Sequence, residues 1–434
     1  MQSRILKVIL LAAAAVRVGL LLASPAGAAL TPDSEHYLAL AGSLAEGRYV
    51  YEDEPELLRP PGYPLLVMLA RTSGEAWYTL LAAAQIALSV ALVYVVFLLG
   101  WTICGERVGL WAAGLQAVSP LSAAASLRVL TDEPYALLLG VTVLLLAHHF
   151  RTGAWWPLVS AAAVAAAGCY LRPAGMLLAA AAAVVLLLRP KRLARTGAFL
   201  ALFAAILAPW IVRNGLRADF WQFSSTSTDA PYLYSGPVVL VEAEGLTFEQ
   251  ARRKMESLLV AEGGRDIQPP GRRERLKREV TLSVVGMYPG TYAKLHAKGC
   301  AAAWLPGATD VLELAGATSG QSGTLAVLRE EGPRAAARHY FGDNTTAAVA
   351  AGALCLLWAA RLLLAAVGVA KHFRPRMPAG QWLLLAVVAL FLLAPGPAGH
   401  PRFRVPVEPL LSVVAGAGAV ALLTWRQRRR STPA

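Results

Sequence analysis

Apolar and polar positions fall into long blocks along this chain. Runs rich in Ala, Leu and Val cover Ile5–Leu30, Ala76–Gly100, Val108–Ala125, Glu133–His149, Trp156–Tyr170, Gly175–Leu188, Gly197–Val212, Thr345–Ala370, Gln381–Leu393 and Leu410–Leu423. A helix needs about 20 apolar residues to cross a bilayer, and several of these runs approach that length. The pattern predicts an all-α polytopic membrane protein with about ten transmembrane helices. Two polar stretches interrupt it, residues 31–75 and residues 213–344. In the first, Tyr37, Leu40 and Leu44 recur at helical spacing after the start signal Thr31-Pro32-Asp33-Ser34, which predicts an amphipathic helix. In the second, Thr247–Val260 and Arg272–Val285 carry the same periodicity. Tyr288–Trp304 holds Lys294, His296 and Lys298, so it is expected to lie along the membrane rather than through it.

Composition sharpens the class. Hydrophobic residues make up 56% and charged residues 15%, against about 25% charged in soluble domains; mean hydropathy is +0.51. One membrane-embedded domain over residues 1–434 accounts for this. The first run, with Arg4 and Lys7 ahead of it and small residues after it, has features of a secretory signal. It outlasts the usual apolar region of about 7–15 residues and reads as a retained anchor. Arg17, near its middle, is expected to face other helices or a wet cavity, the plainer reading being that it snorkels to the interface. The net charge of +13 sits in short loops between apolar runs, which the inside preference of Lys and Arg explains without nucleic acid. Cys104, Cys169, Cys300 and Cys355 form no CxxC pair and read as small apolar residues. His148, His149, His296 and His372 lack metal-ligand spacing and read as interfacial.

Threading the spans from a cytoplasmic N-terminus puts Arg4/Lys7, Arg107, Arg151, Arg189–Arg195, Lys371–Arg376 and Arg426–Arg430 on the cytoplasmic side, as the charge rule requires. Asp33, Arg59, Asp132, Glu133, Arg172, Arg213 and Arg402 then emerge on the opposite side. This partition predicts one site on the extracytoplasmic face of the cytoplasmic (inner) membrane, with both termini inside.

Each candidate has a plainer reading. Asp33 at a helix start caps the helix and meets its dipole, which position alone favours. Asp132 and Glu133 open another helix, with Pro134 in its first turn. Two acids converging from separate elements, with arginines around them, are harder to explain as coincident caps. Arg59 is presented by the rigid Arg59-Pro60-Pro61-Gly62-Tyr63-Pro64 turn; otherwise it binds lipid headgroups. Arg172-Pro173 occupies a very short turn between apolar segments. Arg213-Asn214 follows Trp210, an interface anchor on the plain reading. Arg402 and Arg404 lie on the side the charge rule disfavours, and a guanidinium fork suits a phosphate.

The ordered motifs Asp-Ser-x-x-Tyr, Arg-Pro-Pro-Gly-Tyr-Pro, Thr-Asp-Glu-Pro, Leu-Arg-Pro, Trp-x-x-Arg-Asn and Arg-Phe-Arg-x-Pro give a chain that resembles the C-type (GT-C) membrane glycosyltransferases. It is most similar to the family 39-like group of protein O-mannosyltransferases and lipid A aminoarabinose transferases. The resemblance implies Asp33 as the catalytic acid of the first outer loop, with Glu133 and Asp132 as the second acidic position. It implies Arg59 as a donor-phosphate ligand, with Arg402 or Arg404 as a further one; Arg172 and Arg213 complete the candidate phosphate-binding set, and Tyr37 and Tyr63 the candidate pocket. The implied reaction moves a sugar from a polyprenyl-phosphate-linked donor to a lipid, glycan or protein hydroxyl, with inversion and Asp33 as base. No cofactor is required and no metal ligand is assigned, a divalent metal being left open. Three alternatives remain: a transporter or flippase of lipid-linked sugars, which predicts ionisable residues along a mid-membrane path, a different member of the C-type class such as an oligosaccharyl or arabinosyl transferase, and a non-catalytic scaffold subunit.

Overall fold

A computed structural model describes residues 2–189, 191–264, 266–317, 330–373 and 377–431, with 324 and 327. Arg374 and Arg376, two of the basic residues used in the threading, lie outside the described residues, as does Pro190 within the Arg189–Arg195 patch. Helix α1 (Gln2–Ala23) stops short of Leu30, because Pro25 has no amide hydrogen to continue the ladder. Next come α2 (Pro32–Ala45), a hairpin of β1 (Val50–Tyr51) and β2 (Glu54–Pro55), and α3 (Gly62–Arg71). The hairpin turns on Glu52 and Asp53, both left-handed at φ 49° and 63°. Glycine or asparagine would have announced such a turn; Glu-Asp does not.

Helix α4 (Trp77–Cys104) is followed by α5 (Glu106–Ala117) and α6 (Pro120–Ala125). The single span expected over Val108–Ala125 is therefore broken. Ser119 accepts from the Ser122 amide to start α6, and Pro120 takes its first position, a normal helix opening. Helices α7 (Asp132–Thr152), α8 (Trp155–Leu171), α9 (Gly175–Leu187) and α10 (Arg192–Ala218) follow. Helix α10 runs through Pro209 and beyond Val212, so Arg213 and Asn214 belong to its last turns.

The long polar stretch holds α11 (Thr226–Ala230), α12 (Gly236–Glu244), α13 (Phe248–Gly263), α14 (Pro270–Met287), α15 (Pro289–Ala302), α16 (Ala308–Leu314) and α17 (Pro333–Phe341). The amphipathic periodicity becomes a small core of its own, in which Leu240, Met255, Leu259 and Val284 meet. Thr247 and Gln250 cap α13 reciprocally, satisfying two orphan amides. The chain closes with α18 (Thr345–His372), α19 (Ala379–Leu393) and α20 (Glu408–Ser431).

The protein is a multi-pass membrane protein. Among the described residues six segments are long and apolar enough to cross: α1, α4, α7, α10, α18 and Pro401–Arg429. Helices α8, α9 and α19 are shorter, so the count of ten is not reproduced at full length. Large apolar side chains such as Leu11, Leu22, Val349, Leu356 and Leu363 stay exposed on α1 and α18, as lipid contact requires. Inside, α4 and α5 cross so closely that a Cβ on Gly100 would stand 2.8 Å from the Gly109 Cα, small residues letting backbones approach.

The bundle has two chemically distinct ends. Arg151 at the end of α7 donates to the Thr102 carbonyl near the end of α4, and Arg195 at the start of α10 reaches the Gly153 carbonyl. Gln381 at the start of α19 lies against Cys104. The opposite ends of α7 and α8 meet the first loop, and the acids gather there.

Candidate active site

Helix α2 is capped without its aspartate. The Thr31 amide donates to Ser34 Oγ at 2.9 Å, and Ser34 Oγ donates on to the Val129 carbonyl at 3.0 Å. Asp33, one residue into the helix, is left facing outward. It accepts from Arg59 Nη2 through Oδ1 at 2.7 Å and from Arg402 Nη1 through Oδ2 at 2.7 Å. Arg402 Nε donates to Asp132 Oδ2 at 2.9 Å, and Arg172 pairs with Asp132 Oδ1. Residues from the first loop, the start of α7, the α8–α9 turn and the segment before α20 thus share one ion cluster. Three guanidinium charges against two carboxylates leave one net positive charge.

Each charge is held from behind. Arg59 lies over the Tyr37 ring, 4.4 Å from its centroid, and Tyr49 donates its hydroxyl to the Arg59 carbonyl at 2.9 Å. Gly62 fixes the turn against α8: a Cβ there would meet the Tyr170 carbonyl oxygen at 2.6 Å. His36 joins Arg59 to Glu56. Arg59 Nε donates to His36 Nδ1 at 3.0 Å, so the ring proton sits on Nε2 and goes to Glu56 Oε2 at 2.9 Å. Glu56 Oε1 also accepts the Arg59 amide at 2.6 Å. The motif reading missed His36 and Glu56. Their one signal is local, an acid three residues before Arg59 that can reach back to its amide.

The remaining candidates lie elsewhere. Glu133 turns into the bundle, bonding Ser89 and Ser122 with Arg17 at 4.0 Å; its Oε2 has no partner. Successive helical residues point about 100° apart, so neighbours in sequence serve different environments. Arg17, fully buried, also donates to the Ala13 and Ala117 carbonyls at 3.1 and 3.0 Å. Arg213 grips the Glu56 and Tyr49 carbonyls at 2.7 and 2.6 Å and so holds the first loop. Arg404 is buried against Trp358; it donates to Glu408 at 3.1 Å and to the Ala303 and Leu305 carbonyls. Arg402 and Arg404 share a three-residue-per-turn segment, which points them about 120° apart. Tyr37 packs edge-on against Tyr63, and Tyr63 is fully buried with its hydroxyl on Gln85 at 2.8 Å. Tyr63 therefore supports Tyr37 from behind rather than lining the surface.

Arg361 and Glu408, paired at 3.2 Å inside the bundle, form with Ser119, Gln116 and Ser412 a buried network that the apolar pattern gave no reason to expect. Among the described residues no three His, Cys, Asp or Glu side chains converge as a metal site.

The electrostatics follow from position. The Asp132 side chain is 1% exposed and the Asp33 side chain 38%, so Asp33 is the acid a ligand meets. Burial works to raise the Asp33 pKa, but the guanidinium groups of Arg59 and Arg402 outweigh it and hold the carboxyl down to about 2. With the folded value depressed, its ion pairs contribute stability that is complete well above the unfolded pKa of about 3.9 and is lost as pH falls toward about 2. The melting difference between wild type and Asp33→Asn should be constant above about pH 5, shrink as pH falls, and vanish only below about pH 2. No difference at neutral pH would show that these pairs do not form.

A family model for dolichyl-phosphate-mannose-protein mannosyltransferases matches residues 59–212. That segment contains Arg59, Asp132 and Arg172. A solved structure of the oligosaccharyltransferase AglB from Archaeoglobus fulgidus, in complex with an inhibitory peptide and a dolichol-phosphate, superposes over 100% of this chain and 52% of its own, at 14% identity and a TM-score of 0.55. The chain has the fold of the GT-C membrane glycosyltransferases. The apo form of the Archaeoglobus enzyme agrees, with 98% of this chain and 51% of that one covered at 14% identity and a TM-score of 0.53. ArnT from Cupriavidus metallidurans, bound to undecaprenyl phosphate, covers 98% of this chain and 80% of its own at 12% identity and a TM-score of 0.42. The chain spans about half the length of the Archaeoglobus structures it matches. Comparison with curated protein sequences gives no match.

Proposed function

We propose that this GT-C-fold protein is a glycosyltransferase that moves a sugar from a polyprenyl-phosphate-linked donor to an acceptor hydroxyl at the carboxylate–arginine end of the bundle. The observation that carries the reading is the bridge made by Arg402, whose two forks bind Asp33 and Asp132 from distant parts of the chain. A membrane-surface cluster with net positive charge and one accessible carboxylate suits a phosphate ester that has a reacting carbon beside it. The AglB structure holds a dolichol-phosphate, and a polyprenyl phosphate of that kind is the ligand Arg59, Arg402 and Arg172 would take here. The charge rule puts this end outside the cell membrane, with both termini inside.

The chemistry is coupled. A carboxylate held at about 2 is a weak base, since general base catalysis works best with a pKa nearer the working pH. A donor phosphate competes with Asp33 for Arg59 and Arg402. As it takes them, the opposing charges leave the carboxylate and its proton affinity rises. Asp33 then accepts the proton of the acceptor hydroxyl while that oxygen attacks the anomeric carbon, inverting it, and the bond to the phosphate breaks. The arginines stabilise the charge left on the phosphate. Asp132, buried between Arg172 and Arg402, positions the arginines.

Transfer of labelled sugar from a polyprenyl-phosphate donor in reconstituted membranes tests the reading, with mass spectrometry of surface glycolipids and glycoproteins identifying the acceptor. In that assay Arg59→Ala should raise the donor KM at least tenfold and leave the acceptor KM within about twofold, a tenfold change being about 1.4 kcal/mol. An unchanged donor KM would count against phosphate binding there. Flippase function draws no support from the buried charges: Arg361, Glu408 and Arg404 are tied to one another and to backbone carbonyls.

A further inference from the structure

His36 and Glu56 stand behind the ion cluster and take no part in the proton transfer or in the phosphate contacts. His36 lies one helical turn after Asp33 on α2, so the two side chains share a face of that helix. Its ring is stacked on Tyr51 with centroids 4.0 Å apart. The His36 side chain is 16% exposed and the Glu56 side chain 4%. Arg213 donates to the Glu56 carbonyl at 2.7 Å and so fastens the pair to α10. A buried carboxylate, an imidazole and a guanidinium in series are a built arrangement, and its output end is Arg59.

A guanidinium presents its N–H donors in a rigid fork. In Arg59 the Nε–H is spent on His36 Nδ1 at 3.0 Å, and Nη2 reaches Asp33 Oδ1 at 2.7 Å. The Asp33 contact is the one that a donor phosphate displaces. When Asp33 lets go, the bond to His36 still fixes the plane of the fork, with the Tyr37 ring 4.4 Å away on its face. A guanidinium without such a hold has to be ordered by its ligand, which weakens binding.

Glu56 settles which ring nitrogen accepts. Its Oε2 takes the Nε2 proton at 2.9 Å and, as a carboxylate, has none to return, so Nδ1 of the neutral ring stays an acceptor toward Arg59. An imidazolium would turn a second N–H and a second positive charge on Arg59 Nε. We propose that His36 is a positioning residue for Arg59, and that with Glu56 it aims the Nη atoms of Arg59 at the donor phosphate while its ring is neutral. This rests on the donor-phosphate role of Arg59. The charges around the ring pull both ways: Glu56 favours the imidazolium and Arg59 opposes it, Tyr51 is stacked on the ring, and Asp33 and Arg213 lie one partner beyond. Donor affinity therefore falls as acid charges His36.

Binding of a polyprenyl phosphate to the full-length protein in lipid nanodiscs tests this, with melting of each variant as the check on folding. His36→Leu removes the acceptor and should weaken binding about tenfold. Asparagine carries its side-chain oxygen as many bonds from the backbone as Nδ1 and does not titrate, so His36→Asn should recover most of the affinity. Between about pH 8 and pH 5, where histidine changes charge, wild type should lose affinity relative to His36→Asn. Taking that ratio cancels the titration of the phosphate and of Asp33, which both proteins share. In the transfer assay the same losses should appear in the donor KM and leave the acceptor KM level, a split that general loosening of the loop would not give. Arg59→Ala is the control for the underlying reading. If it binds polyprenyl phosphate as wild type does, the phosphate role of Arg59 fails and this inference with it. Weak binding by Arg59→Ala beside wild-type binding by His36→Leu, or a ratio to His36→Asn that stays flat with pH, overturns the role of His36 alone.

Discussion

Asp33→Asn should lower sugar transfer at least 10²-fold, within the about 10²–10⁴-fold range of general base catalysis, while the protein still inserts and binds donor. The substitution keeps the shape and removes one negative charge from between Arg59 and Arg402. The cluster then carries more net positive charge, so the donor KM should stay level or fall while kcat collapses. That split separates a base from a binding residue. Asp33→Glu keeps the carboxylate one methylene further out and should recover part of the rate. Turnover of the asparagine variant within twofold of wild type would remove the base, and with it the proposed mechanism.

Arg402→Ala should damage both fold and function. Asp132 is almost wholly buried and has two guanidinium partners, Arg172 and Arg402. Breaking a buried ion pair from one side costs about 3–5 kcal/mol because the charge left behind stays out of water. Because Arg172 stays on Asp132, the loss should be smaller than that, about 1.5–3 kcal/mol as for hydrogen bonds to a charged group, and should appear as a drop in melting temperature. The donor KM should rise at least tenfold. Arg402→Lys is the informative companion: one ammonium keeps the charge but has no fork with which to hold Asp33 and Asp132 together. It should melt closer to wild type than the alanine variant yet stay well below wild type in transfer. An alanine variant that melted and turned over like wild type would show that the bridge does nothing.

The two ends of the bundle have separate chemistry for a common reason. Charges cluster where helices leave the apolar layer: Arg151 and Arg195 bond backbone carbonyls at one end, and carboxylates pair with arginines at the other. The paired end holds an accessible acid and net positive charge.

Hydropathy alone determined the class of this protein, the order of its apolar segments and the sorting of its loops into two sets. Burial in a bilayer depends on how many apolar residues stand side by side, a quantity each stretch carries within itself. The motif order also pointed to Asp33, Asp132 and Arg59. Only the tertiary structure decided which side chains meet. Asp132 and Glu133 are neighbours in sequence, yet one joins the cluster and the other pairs inward with Arg17. Arg402 and Arg404 divide in the same way between the acids and the bundle interior. The angle between successive residues on a helix sets that choice, and its outcome depends on what the rest of the chain brings to each face. Hidden charges such as Arg361 and Glu408 are silent in an apolar run for the same reason, since each partner lies in a different helix.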